Sequence, residues 1–159
     1  MLITAGALVV LSSCQQGPQP SSWGFRLEGG AVTVAAPLCP SETVVGAETY
    51  ISVDGEGDGD GFTRLWRASD PRSSEAVAGV FFVNTGKSFG TIEKPLSVTQ
   101  PKKFYVAVRY AGDAEFSRSG YVDLARVKSA ELTDDEFLTY EGKVMTREEI
   151  NAQRTCPKT

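Results

Sequence analysis

Histidine is missing from this 159-residue sequence. Histidine is the commonest general base near neutral pH and the commonest protein ligand of zinc. Its absence excludes His-dependent catalytic triads and histidine-ligated metal sites. Catalysis that uses only carboxylates stays possible.

Positive charge is also scarce, because 16 lysines and arginines face 20 aspartates and glutamates, for a net charge of −4. Proteins that bind nucleic acid need clustered lysine and arginine, so we expect no nucleic-acid partner. The hydrophobic fraction of 41% and the charged fraction of 23% are ordinary for a globular protein. The length predicts a single folded domain.

A hydrophobic run of membrane-spanning length is not found near the start of the chain. Residues 2–11 are mostly apolar, but a transmembrane helix needs about 20 such residues. The run has the length of a signal-peptide core, roughly 7–15 residues. It leads into Leu11-Ser12-Ser13-Cys14 and then into the polar segment QQGPQPSS. No basic residue precedes the run, and a start codon assigned too far downstream would explain this. The alternative to a signal peptide is a buried N-terminal strand or helix.

Leu11-Ser12-Ser13-Cys14 resembles the lipobox of bacterial lipoproteins. The resemblance implies that residues 1–13 are a signal peptide and that Cys14 becomes a lipidated N-terminus with acyl chains such as palmitate. It places the protein on the outer, extracytoplasmic face of the cell membrane. Residues 14–22 then form a flexible tether, and residues 23–159 form the domain.

Shorter matches make the chain similar to small secreted lipoproteins of actinobacteria. They are Leu38-Cys39-Pro40, Leu65-Trp66-Arg67, Tyr121-Val122-Asp123-Leu124 and the terminal Cys156. This resemblance implies a location and no activity.

Cysteine occurs three times in the chain. If Cys14 carries lipid, Cys39 and Cys156 remain in an oxidising compartment, where we expect them to form a disulfide. The alternative is a pair of buried free thiols.

Alternating apolar residues predict a mainly β protein, an antiparallel immunoglobulin-like β-sandwich of about seven strands with a short C-terminal helix. In residues 103–110 the alternation places Phe104, Val106, Val108 and Tyr110 inward. In 44–53 it places Val45 and the alternate residues after it inward. The seven predicted strands are 30–36, 44–53, 62–68, 77–84, 94–98, 103–110 and 120–127.

Three details of these strands can be tested. Residues 77–84 are apolar on both faces, which predicts a central strand. Residues 94–98 are predicted to be a short strand with Pro95 at its edge. Trp66 suits the sandwich core, although Leu65 competes for the inward position.

The C-terminal residues change pattern. Residues 137–146 predict a hairpin around Gly142. Thr146 and Glu149 fit a capping box that opens a helix through about Arg154, with Ile150 as its main apolar contact.

An acidic, glycine-rich segment is the weak candidate for a metal site. Asp54, Glu56, Asp58 and Asp60 alternate with glycines and could surround Ca²⁺. Leu65 stands where an EF-hand loop requires glutamate, so we expect a solvated loop, no strong calcium binding and no cofactor.

Two functions remain open. One is a binding or envelope-assembly module for an envelope protein or a cell-wall polymer, with Phe116 as a possible loop contact. The alternative is a small envelope enzyme that uses carboxylates, although the sequence shows no catalytic motif. Its candidates are scattered along the chain: Glu48, Glu75, Glu93, Asp113, Glu115 and Asp123.

Overall fold

A computed structural model describes residues 21–52 and 61–157. These residues form ten strands and three short helices. The strands are β1 (Gly24–Glu28), β2 (Ala31–Ala35), β3 (Val44–Ser52), β4 (Phe62–Pro71), β5 (Val80–Phe82), β6 (Phe89–Lys94), β7 (Lys103–Tyr110), β8 (Arg118–Asp123), β9 (Glu136–Thr139) and β10 (Val144–Thr146). The helices are α1 (Ser74–Val77), α2 (Leu124–Ser129) and α3 (Arg147–Ala152).

The strands form two antiparallel sheets of five strands each. The first sheet has the order β10-β9-β1-β2-β5, and the second has the order β6-β4-β3-β7-β8. One hydrophobic core contains side chains from both sheets, so the sheets face each other as a β-sandwich. The predicted fold class is confirmed, with ten strands instead of about seven.

The core follows the alternation that the sequence shows most clearly. All four inward positions predicted in β7 are buried. Trp66 is buried in the same core and packs edge-on against Phe89 of β6. Phe89 in turn meets Phe81 of the first sheet at 5.5 Å between ring centroids, which joins the two sheets.

Two irregularities decide which residues of β3 and β4 face inward. The pairing of β3 with β7 passes from Val44 to Gly46, so Val44 is buried in the core and the prediction for Val45 is wrong. The pairing of β3 with β4 skips Leu65, and Trp66 takes the inward position. Each irregularity adds one residue to a strand and reverses the phase of alternation beyond it.

The prediction of a central strand at 77–84 is wrong. Ser73 caps α1 by accepting a hydrogen bond from the Ala76 backbone, and Gly79 turns the chain at a φ of 86°. Only the short β5 follows, at the edge of the first sheet. Both of its faces are apolar because Phe81 lies in the sandwich core, while Val80 packs against a second cluster that contains Phe137 and Ile150.

Three further boundaries differ from the predictions. Residues 95–98 are not a strand, and β6 lies immediately before them, because Pro95 offers no backbone N–H to a ladder. The strand predicted over 120–127 ends at Asp123, whose carboxylate accepts a hydrogen bond from the Ala125 backbone and caps α2. The sequence analysis missed β1, which has only five residues.

The C-terminal predictions are confirmed more closely. β9 and β10 form the hairpin, and Thr146 and Glu149 form both hydrogen bonds of the capping box. Helix α3 ends at Ala152, two residues before the predicted end. Ile150 is fully buried against Ala35 and Phe137, so α3 covers part of the outer face of the first sheet.

The disulfide between Cys39 and Cys156 is present and fastens the chain just beyond α3 to the loop that follows β2. Disulfides are typical of proteins that fold in an oxidising, extracytoplasmic compartment. None of the helices within 21–52 and 61–157 is long and apolar enough to cross a membrane.

Candidate functional site

The outer face of the second sheet presents a row of aromatic side chains. Tyr50, Tyr105 and Tyr121 lie directly opposite one another on β3, β7 and β8. Neighbouring ring centroids in this trio are 5.2 Å and 4.9 Å apart. Phe62 extends the row on the β4 side and Tyr140 on the β8 side, with exposed fractions of 50% and 54%. These five residues are called the aromatic row below.

A groove of about 590 Å³ runs beside the aromatic row, and it is called the sheet groove. Its floor is one line of cross-strand neighbours, Glu48, Ala107 and Ser119. Because alanine and serine are small, space remains above them. The residues that line the groove come from β3, β4, β7, β8 and the loop before β8: Glu48, Tyr50, Phe62, Thr63, Arg64, Ala107, Phe116, Ser117, Arg118 and Ser119.

Phe116 forms the wall opposite the aromatic row. Its ring lies beneath the guanidinium groups of Arg67, at 4.5 Å, and Arg109, at 5.9 Å. The ring also approaches the backbone at Gly46, where an added Cβ would lie 3.6 Å from it. Phe116, predicted as a possible loop contact, is therefore half-buried and held on the sheet by cation–π contacts.

Glu48 places a carboxylate on the groove floor, although the residue is only 8% exposed. Arg64 Nε donates a hydrogen bond of 2.7 Å to Glu48 Oε2, and Arg67 Nε lies 4.0 Å from the same oxygen. Oε1 has no hydrogen bond to any residue in the part of the chain that the structure describes. The groove therefore offers a fixed acceptor whose second oxygen is available to a ligand.

The irregularity at Leu65 brings both arginines to this carboxylate. Residues three apart in a regular strand point to opposite faces of a sheet. Because Leu65 is skipped in the pairing, Arg64 lies opposite Tyr50 and Arg67 lies opposite Glu48, both on the outer face. This cluster could not be predicted from the sequence, because the alternation in 62–68 indicates a regular strand without the irregularity at Leu65.

Tyr50 supplies a phenol at the edge of the groove. Burial raises the pKa of Tyr50 above its ordinary value, the nearby Glu48 raises it further, and a hydrogen bond with Ser119 opposes the shift. The phenol therefore stays protonated at neutral pH, where it can both donate and accept a hydrogen bond.

Arg118, at the β8 end of the groove, is already paired. Its guanidinium donates to both oxygens of Glu42, at 3.0 Å and 2.5 Å. This hydrogen bond raises the pKa of Arg118 and lowers the pKa of Glu42. Both groups stay charged at neutral pH, and Glu42 also accepts a hydrogen bond of 3.1 Å from Arg154.

Two of the scattered acidic candidates meet in the described part of the chain, because Glu48 and Glu93 both lie near Arg67 Nε, at 4.0 Å and 3.1 Å. Among the described residues that line the groove, Glu48 is the one carboxylate. The described ranges hold no group of three or more side chains suited to a metal ion. The remaining acidic candidates of the described chain are dispersed: Asp123 caps α2, Asp113 accepts from Ser117, Glu75 lies in the first turn of α1, and Glu115 is exposed. Cys14 and the acidic candidates Asp54, Glu56, Asp58 and Asp60 lie outside the described residues.

No known protein family, no curated protein and no solved structure shows significant similarity to this chain.

Proposed function

We propose that the protein is a lipid-anchored binding module of the cell envelope, and that its sheet groove holds a segment of an extended cell-wall polymer. The observation that carries this proposal is the groove itself, with an aromatic wall and a fixed carboxylate on its floor. Its lining spans the strands from β4 to β8, which at the usual strand spacing is about 14 Å. An elongated ligand would match this extent across the sheet.

The anchoring part of the proposal rests on the resemblance of Leu11-Ser12-Ser13-Cys14 to a lipobox. The disulfide between Cys39 and Cys156 supports an extracytoplasmic location. A lipid on Cys14 would hold the domain close to the polymers outside the membrane, where even modest affinity for one site would be amplified by local concentration.

Binding is favoured over catalysis by the arrangement of acids. A retaining glycosidase needs two carboxyl groups about 5 Å apart, and an inverting one needs a pair somewhat farther apart. Within the described lining of the groove, Glu48 stands alone, and Glu93, which shares Arg67 with it, does not line the groove. Its hydrogen bond from Arg64 fixes the carboxylate as an acceptor.

Co-sedimentation with insoluble cell-wall material from the producing bacterium tests this proposal. The full chain, purified in a sugar-free detergent, is mixed with the washed wall and centrifuged. We expect the wild type to sediment and Phe62→Ala to remain largely in the supernatant. Tyr140→Ala is the matched control, because Tyr140 is as exposed as Phe62 and belongs to the same aromatic row but does not line the groove.

The proposal also predicts the behaviour of Glu48→Gln, which should sediment less than the wild type. Wild-type sedimentation by both Phe62→Ala and Glu48→Gln would show that the sheet groove is not the binding site.

A further inference from the structure

We infer that the ligand of the sheet groove is an uncharged oligosaccharide segment, with Glu48 accepting hydrogen bonds from sugar hydroxyls and Phe62 packing against a sugar C–H face. This inference rests on the proposed function and names the chemical class of its ligand. It is argued from the shape of the groove, its hydrogen-bonding groups and its charge.

The shape suits flat rings inserted from the solvent side. A volume of about 590 Å³ falls within the range of about 300–1,000 Å³ that is usual for small-ligand sites. The two walls, Tyr50 with Phe62 on one side and Phe116 on the other, are aromatic, while Ala107 and Ser119 keep the floor low. A pyranose ring is flat, with apolar C–H groups on its faces and hydroxyls around its edge, so it can contact the walls and the floor together.

The polar lining favours a ligand rich in hydroxyl groups. Tyr50, Ser117 and Ser119 carry hydroxyls, which both donate and accept hydrogen bonds as sugar hydroxyls do. Glu48 Oε1 adds a charged acceptor, and hydrogen bonds to an ionised acceptor are roughly twice as strong as neutral ones.

The strand pairing argues against an extended peptide. A peptide that binds a sheet in extended form gains most from backbone hydrogen bonds at a free edge strand. The floor of the groove lies on β3 and β7, which are both interior strands with a hydrogen-bonded neighbour on each side. A peptide lying across them would find no open ladder of backbone groups.

The charge of the lining argues against an anionic ligand. Arg64 is paired with Glu48, and Arg118 is paired with Glu42. Among the lining residues that the structure describes, each cation therefore has a carboxylate partner, although Arg118 shares Glu42 with Arg154. The net charge of −4 for the whole chain would also repel a polyanion. An uncharged sugar meets neither obstacle.

Isothermal titration calorimetry with defined oligosaccharides tests the inference. The full chain in a sugar-free detergent is titrated with neutral oligomers of glucose, galactose, mannose, arabinose, xylose and N-acetylglucosamine. Acidic oligogalacturonate and a peptidoglycan stem peptide serve as competing classes. We expect at least one neutral series to bind, with an affinity that rises with chain length until the groove is filled.

Variants tie this binding to the groove. We expect Phe62→Ala and Glu48→Gln each to weaken the affinity about tenfold or more, which corresponds to the loss of one good contact. Tyr50→Phe, which keeps the ring and removes the hydroxyl, should weaken it by a smaller factor. Tyr140→Ala should bind within about twofold of the wild type. Thermal unfolding of each variant confirms that it is folded.

A neutral polysaccharide fraction released from the same cell-wall material provides the decisive competition. We expect it to displace the full chain from the wall. If it does not, or if only the acidic oligomer or the peptide binds in a Phe62-dependent way, the assignment to a neutral sugar is wrong while the proposed function stands. If no probe binds and wall sedimentation does not depend on Phe62 or Glu48, both the assignment and the proposed function are wrong.

Discussion

Cys39 and Cys156 are bonded to each other with their Cα atoms 5.5 Å apart, although 117 positions separate them in the chain. A second contact reinforces this junction, because Arg154 donates a hydrogen bond of 3.1 Å to Glu42, which also binds the backbone of Cys39. The C-terminal end of the described chain is therefore fastened to the loop that follows β2.

Reduction of the Cys39–Cys156 disulfide should lower the free energy of unfolding by about 2–5 kcal/mol, because the bond restricts the unfolded chain over a long loop. Urea unfolding with and without reductant measures the loss. Intact mass after alkylation, with and without prior reduction, tests the bond itself. Alkylation of both thiols in unreduced protein would show that the bond is absent.

Acid should weaken the contact between Glu42 and Arg118. The Arg118 hydrogen bond is the largest cause that holds the pKa of Glu42 below its ordinary value of 4.5. Because the pKa is lowered in the folded state, this stabilisation is complete above the unfolded pKa and is lost as the pH falls through the folded one. Glu42→Gln should therefore be less stable than the wild type at neutral pH, and the difference should shrink below about pH 4.5.

Urea unfolding at a series of pH values measures this difference. Glu115→Gln is the control, because Glu115 is exposed and should change stability little at any pH. A gap between wild type and Glu42→Gln that stays constant down to the lowest accessible pH would contradict the prediction.

Gly120 cannot accept a side chain without a change in the core. An added Cβ would lie 2.5 Å from Cγ of Trp23, which is buried against it. Gly120→Ala should therefore lower the free energy of unfolding by about 1–3 kcal/mol, the usual cost of overpacking. Gly86→Ala is the matched control, because nothing lies within 4 Å of its Cβ position. Equal stability of the two variants would disprove the crowding at Trp23.

Bacterial lipoproteins are held stably in the membrane by two or three acyl chains. Cys14→Ala removes the thiol that would receive the lipid, so the variant should be either unprocessed or released from membranes. Fractionation of cells that express the wild type and the variant measures this. A variant that is still cleaved and still bound to membranes would contradict the lipobox interpretation.

Local signals allowed several elements to be predicted from the sequence. The alternation in 103–110 identified the buried side of β7, because a strand with one buried face must repeat every second residue. Thr146 and Glu149 identified the start of α3, because a capping box satisfies its own backbone groups within four residues. The disulfide followed from the number of cysteines once Cys14 was assigned to lipid.

Local signals failed where a strand departs from regular pairing. Val45 was predicted to face inward, but Val44 does so instead, because one residue bulges out of the pairing with β7. The apolar residues of 77–84 indicated a central strand, yet the chain places a helix, a turn and an edge strand there. The outer side of β5 is half-buried at Val80, which packs against the C-terminal cluster around Ile150, so its apolar character does not come from a central position in the sheet.

The sequence by itself determined the mainly β composition, the capped C-terminal helix and the cysteine pair, because each depends on residues close in the chain or on a simple count. Only the tertiary structure decided the candidate site. Tyr50, Tyr105 and Tyr121 are far apart in the sequence, and they become one row because β3, β7 and β8 lie side by side in a particular register. Strand order and register are set by long-range packing of the two sheets, which no local pattern encodes.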